Sequence, residues 1–171
     1  MIHIYTGNGK GKTTSAFGLA MRASGQGLKV CVFQFLKPEN PICGEVISAK
    51  KLKNIKVIKC KECHPIFAAN SSRSKVKKAA TDMLKRAEKA LFSDRYDMII
   101  LDEIINAIDQ DFCGKKGFIG MLKRAPRELE LVLTGRGDIS DMEGFADYIT
   151  VMTEKKHPFK KKTGARKGVE Y

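Results

Sequence analysis

No tryptophan occurs in this 171-residue chain, and histidine appears only three times. Acid is scarce: 19 Asp and Glu face 32 Lys and Arg, a net charge of +13. No apolar run approaches the length of about 20 residues needed to span a bilayer, so no membrane span is expected. The opening MIHIYTGNG has no basic stretch followed by an apolar core, so no secretory signal is expected. The five cysteines, Cys31, Cys43, Cys60, Cys63 and Cys113, form an odd set. Without export, that count argues for reduced thiols and a cytoplasmic protein rather than a disulfide framework.

The surplus of positive charge is uneven. It gathers in Lys50 to Lys61, Arg73 to Lys89 and Lys155 to Lys167. Two readings stand, a solvated basic surface or a polyanion-contacting one. These segments are poor in aromatics, and nucleic acid is therefore not expected as a partner.

The length suits one domain, residues 1–171, with a single sizeable core. Strand-like runs occur at 2–6, 29–36, 55–60, 96–103, 129–137 and 147–154. Helical patterns fall at about 13–24, 74–92, 104–112, 116–124 and 138–146. KPENPICG reads as a loop, and the segment after 154 as a basic, irregular tail. Strands alternating with helices predict an α/β fold, P-loop NTPase-like, with a mostly parallel sheet and helices on both faces. Ligands in such sheets bind beyond the carboxyl ends of the strands. The places to look are therefore Thr6–Thr14, Leu36–Glu45, Asp102–Glu103 and Thr134–Gly137.

TGNGKGKTT, from Thr6 to Thr14, lies between the first strand and the first helix. It carries the second half of the pattern G-x-x-x-x-G-K-[ST] at Gly11, Lys12 and Thr13, with Thr6 at the first glycine position. Backbone N–H groups from Gly9 to Thr13 can converge on phosphate oxygens. Lys12 supplies a cation, and the Thr13 hydroxyl a ligand for Mg²⁺. IILDE ends in Asp102 and Glu103, acids placed as in the Mg²⁺-holding strand of P-loop proteins. Taken alone, these features leave an ATPase, a small-molecule kinase, or an enzyme that uses triphosphate as a leaving group.

Further segments narrow the choice. YTGNGKGKTTSAFGLAMRASGQG (5–27), VFQFLK (32–37) with GE (44–45), MIILDEI (98–104), LVLTGRG (131–137), FADYITVM (145–152), KKHPF (155–159) and GVEY (168–171) run the length of the chain. In that order they resemble the P-loop ATP:corrinoid, or cob(I)alamin, adenosyltransferases. The resemblance implies transfer of the 5′-deoxyadenosyl group of ATP to a Co(I) corrinoid, with a Co–C bond formed and triphosphate released. It implies ATP and corrinoid as substrates, Mg²⁺ or Mn²⁺ as cofactor, a reductase supplying electrons, and a homodimer. Position by position, it places Asn8, Gly9, Lys10, Gly11, Lys12, Thr13 and Thr14 on the phosphates. Thr13 and Glu103 go to the metal, with Asp102 assisting, and Arg22 and Arg136 to the nucleotide. Lys12, Thr13 and Glu103 are the expected catalytic set, while Gln34 and Lys37 are candidates to line the site.

The chain departs from the family in places. Members typically carry a GFTW-like segment facing the corrinoid, and here the stretch is CHPIFAAN (63–70). Phe67 stands where the tryptophan does and is the expected aromatic contact to the corrin. Many members also have an extension before the first strand, which here begins at once, and the resemblance then implies a more open corrinoid site. CKECH, Cys60 to His64, matches a c-type haem attachment pattern, but haem attachment follows export. No second cysteine or histidine pair completes a zinc site. Two alternatives of other classes remain: an ATP- and corrinoid-binding sensor without turnover, and a nucleic-acid-stimulated P-loop ATPase.

Overall fold

The computed structural model describes residues 1–37, 42–64, 72–158 and 164–170. Six strands form one sheet: β1 (Ile2–Thr6), β2 (Val30–Gln34), β3 (Ile55–Lys59), β4 (Met98–Asp102), β5 (Glu130–Thr134) and β6 (Tyr148–Val151). Their order is β3-β2-β4-β5-β1-β6, and every pairing is parallel. The helices are α1 (Lys12–Gly25), α2 (Gly44–Ala49), α3 (Arg73–Leu91), α4 (Ile104–Asp109), α5 (Lys115–Lys123) and α6 (Ser140–Glu143). The fold is thus α/β, with an all-parallel sheet where a mostly parallel one was expected. Among the described residues no helix is long and apolar enough to cross a membrane.

Two apolar layers explain the strand sequences. Met98 and Ile100 face α1 and α2, packing with Ala16, Phe17, Ala20, Val30, Val32 and Val132. Ile99 and Leu101 face the other way, toward Val76, Met83, Leu91, Phe118 and Met121 of α3 and α5. Successive side chains point to opposite faces of a strand, and both faces here are covered. VCVFQ and MIILD are therefore buried throughout and read as unbroken runs.

The edge strands differ. In β3 only Ile55 is buried, as the alternating IKVIK foretold. In β6 all four residues are exposed. α2 falls where a loop was expected up to Gly44 and no element beyond it. Six residues, GEVISA, are too few to display a helical period, and the segment is helical because Val46 and Ala49 dock on the sheet. The last short helix is confined to Ser140–Glu143, within the longer expected span of 138–146.

Candidate functional site

Thr6 closes β1 and is buried; the chain then turns at Gly7 (φ +95°) and again at Gly11 (φ +117°). These left-handed conformations favour glycine. The loop lies against the end of β6. Gly9 N donates to Met152 O at 2.7 Å, and Met152 N to Thr6 O at 2.8 Å. A Cβ on Gly9 would stand 2.8 Å from the Met152 carbonyl oxygen, so a side chain is excluded there by packing. α1 starts directly at Lys12, with no side-chain cap on its first N–H groups and no acid in its first turn. Its free N–H groups and dipole therefore face the loop, an arrangement that suits an anion. Lys12 is buried, and its ammonium donates to Gly7 O (2.6 Å) and Gly9 O (2.7 Å). Burial and the nearby Arg136 lower its pKa, with Glu103 opposing.

Asp102 ends β4 with no exposed surface. Its Oδ1 accepts from Thr13 Oγ1 (2.9 Å) and Thr134 Oγ1 (2.7 Å). Its Oδ2 accepts from Lys37 Nζ (2.8 Å) and Gln34 Nε2 (3.2 Å). Four donors on one carboxylate account for an ionised acid in a dry place. Lys37 also donates to Thr13 Oγ1 at 3.0 Å and lies 3.8 Å from Glu45. Burial works against the Lys37 charge, but Asp102, Glu103 and Glu45 together outweigh it and raise its pKa. Glu103 adopts a left-handed conformation (φ +64°), and its N–H donates to Thr134 Oγ1 at 2.9 Å. Burial and the Asp102 charge push the Glu103 carboxyl upward, against Lys37, Lys12 and Arg136.

A cleft of about 870 Å³ opens over these groups. Gly9 to Thr14 line it, with Phe17, Lys37, Glu45, Glu103 and Arg136. Expected residues from three strand ends, Lys12, Thr13, Glu103 and Arg136, thus converge on one space. Asn8 does not line this cleft; its carbonyl accepts from Arg136 Nη2 at 3.1 Å. Asp102 lies beneath, joined to the cleft through Thr13. Arg22 is placed apart. It is exposed in the last turn of α1, about 15 Å along the helix from Lys12, and does not line the cleft. Phe67 lies outside the described residues.

Other cleft residues carry roles that sequence reasoning did not assign. Asn106 Oδ1 accepts from Arg136 N (2.7 Å) and so fixes the TGRG turn, where Gly135 has φ +146°. Asn106 is a polar residue in the apolar run IINAID, and that was its one signal. His64 lines the cleft with Nε2 2.6 Å from Gln110 Oε1, while Cys60 packs against the core, so CKECH divides between two environments. Lys10 turns to the C-terminal segment and donates to Val169 O and Glu170 Oε1, both at 3.0 Å. Arg166 also holds Glu170, and hydrogen bonds from it and Lys10 lower that carboxyl to about 2.

The family model described as ATP:corrinoid adenosyltransferase BtuR/CobO/CobP matches residues 1–171. This chain belongs to the ATP:corrinoid adenosyltransferase family. Members transfer the adenosyl group of ATP to cob(I)alamin. The Escherichia coli corrinoid adenosyltransferase is 31% identical over all of this chain and 85% of its own length. The Salmonella typhimurium corrinoid adenosyltransferase CobA is 31% identical with the same coverage. The Pseudomonas aeruginosa corrinoid adenosyltransferase is 31% identical over 98% of this chain and 82% of its own.

Proposed function

We propose that this single domain transfers the 5′-deoxyadenosyl group of ATP to a Co(I) corrinoid, releasing intact triphosphate. The observation that carries the assignment of residues is the meeting of Lys12, Thr13, Glu103 and Arg136 over buried Asp102 at the head of one cleft. Loop N–H groups from Gly9 to Thr14 and the start of α1 receive the phosphates. Lys12 leaves its two loop carbonyls and neutralises charge that grows on the departing triphosphate. Arg136, anchored through its backbone by Asn106, does the same beside it. Co(I) is the nucleophile, so the protein's work is alignment and the exclusion of water.

The Thr13 hydroxyl and the carboxylates of Glu103 and Asp102 form an all-oxygen donor set that suits Mg²⁺ or Mn²⁺. The Lys37 ammonium already rests on Thr13 and Asp102, which supports a cation at this place. Such a metal, when bound, supplies positive charge to the triphosphate oxygens. Thr13 and Glu103 would hold it, and Asp102 would keep the Thr13 hydroxyl turned toward it. Phe67 would face the corrin.

The reading brings two protein partners: a reductase that delivers Co(I), and a second copy of the chain. Tyr148, Ile149 and Val151 on the β6 edge are 51%, 42% and 62% exposed, and an apolar open edge supports an interface. All five cysteines are free, which supports a reducing, cytoplasmic setting.

The test is anaerobic mixing of the protein with Mg-ATP and chemically reduced cobalamin. The expected result is loss of Co(I) absorbance, a light-sensitive Co–C product and intact triphosphate. Lys12→Ala should lower the transfer rate by about 100-fold or more while the protein stays folded. Unchanged Co(I) with both cobalamin and cobinamide would overturn the proposal. ADP formation stimulated by DNA would favour an ATPase instead.

A further inference from the structure

Asp102 is held by four donors, and three of them belong to the fold around it: Thr13, Thr134 and Gln34. The fourth, Lys37, comes from just past β2 on a long, flexible side chain. Its ammonium touches Asp102 Oδ2 at 2.8 Å and Thr13 Oγ1 at 3.0 Å, and its side chain is 17% exposed. A dication on the Thr13 hydroxyl and the neighbouring carboxylates would come to rest against that ammonium. Two cations at such spacing repel strongly at low dielectric, so one must leave.

Displacing Lys37 without compensation would strip a buried carboxylate of its ion pair and leave an ammonium partly desolvated. Bound phosphates remove that obstacle. Lys37 lines the same cleft as Gly9 to Thr14, so phosphate oxygens seated on the loop lie within reach of a rotated Lys37 side chain. Its counter-ion can then pass from Asp102 to the nucleotide. Glu45, 3.8 Å away, marks a direction in which the ammonium already has a second partner.

We propose that Lys37 is a resident cation that bars a divalent metal from Thr13 and the neighbouring carboxylates until nucleotide phosphates draw it away, so that metal and ATP bind as one unit. This rests on the adenosyltransferase reading of the cleft and adds to it an order of binding and a second lysine on the triphosphate.

Mn²⁺ is the probe, followed by electron paramagnetic resonance on the full chain without nucleotide. ATP binding is followed separately by calorimetry in chelator. Wild-type protein should bind Mn²⁺ weakly. Lys37→Met keeps the length and removes the charge, and should tighten nucleotide-free Mn²⁺ binding by about tenfold or more. The same variant should weaken metal-free ATP binding by about tenfold, the loss of one charge-assisted contact. Equal Mn²⁺ affinity in variant and wild type would overturn the proposal, as would unaltered ATP affinity. Lys37→Gln replaces Lys37→Met if the latter does not fold. Should neither fold, the wild type alone decides: micromolar Mn²⁺ binding without nucleotide refutes the barrier, and its absence supports it. Failure of wild-type protein to bind ATP would instead sink the reading of the cleft itself.

Discussion

At the scale of single residues, Asp102 and Glu103 are neighbours with opposite circumstances. Asp102 is saturated with donors, whereas burial and the Asp102 charge hold the Glu103 carboxyl above its usual range. A carboxyl raised in the folded state binds its proton more tightly there than in the unfolded chain. Its ionisation therefore lowers stability as pH rises from the ordinary glutamate pKa through the raised one, and the full penalty applies above that. Glu103→Gln lacks this term. Near neutral pH it should resist urea better than wild type, with the gap closing below the ordinary glutamate pKa, while transfer activity falls sharply. Urea midpoints at neutral and acid pH, beside a transfer assay, check both parts. A residue that weakens the fold at the cleft fits a role in the reaction.

At the scale of elements, the site depends on how the strand ends are joined. β5 lies between β1 and β4, so the Thr134 hydroxyl meets Asp102 while Gly135 and Arg136 lean on Asn106 of α4. A Cβ on Gly135 would stand 2.5 Å from Asn106 Oδ1 and 2.8 Å from Ile105 Cβ, at a φ of +146°. Gly135→Ala should cost about 2–3 kcal/mol and displace Arg136. Gly120→Ala in α5, with nothing within 4 Å, should be neutral or stabilising by up to about 1 kcal/mol. Denaturant unfolding of the pair separates the effects. The same junctions mark where sequence reading reached its limit. VCVFQ, MIILD and the glycine-lysine loop were legible because each carries its signal within a few residues. The partnership of Thr134 with Asp102 was not, because it exists only once β5 settles beside β4. Lys37 likewise stood out only as one polar strand end among several. α2 was too short to show a period, and Arg22, placed by resemblance, lies in the last turn of α1 and does not line the cleft.

At the scale of the whole molecule, two layers of core enclose the sheet and bury Cys31 and Cys113, whose thiols burial pushes up to about 11 and about 12. Neither should react with a thiol reagent at neutral pH until the protein opens, whereas Cys43, Cys60 and Cys63 are partly exposed and should label early. Mass spectrometry of labelled peptides over time would show two populations, and early labelling of Cys113 would contradict the packing. The order of the sheet has a further consequence for how this protein comes into being. β1 pairs only with β5 and β6, so Ile2 awaits Leu131 and His3 awaits Tyr148. On the ribosome β1 is made long before the two strands it pairs with. The glycine-lysine loop, proposed to hold the nucleotide, stays unsupported until residues near 152 have left the exit tunnel. Binding of ATP to a nascent chain would thus report that synthesis has passed β6, and a stalled, shorter chain would stay blind to the nucleotide.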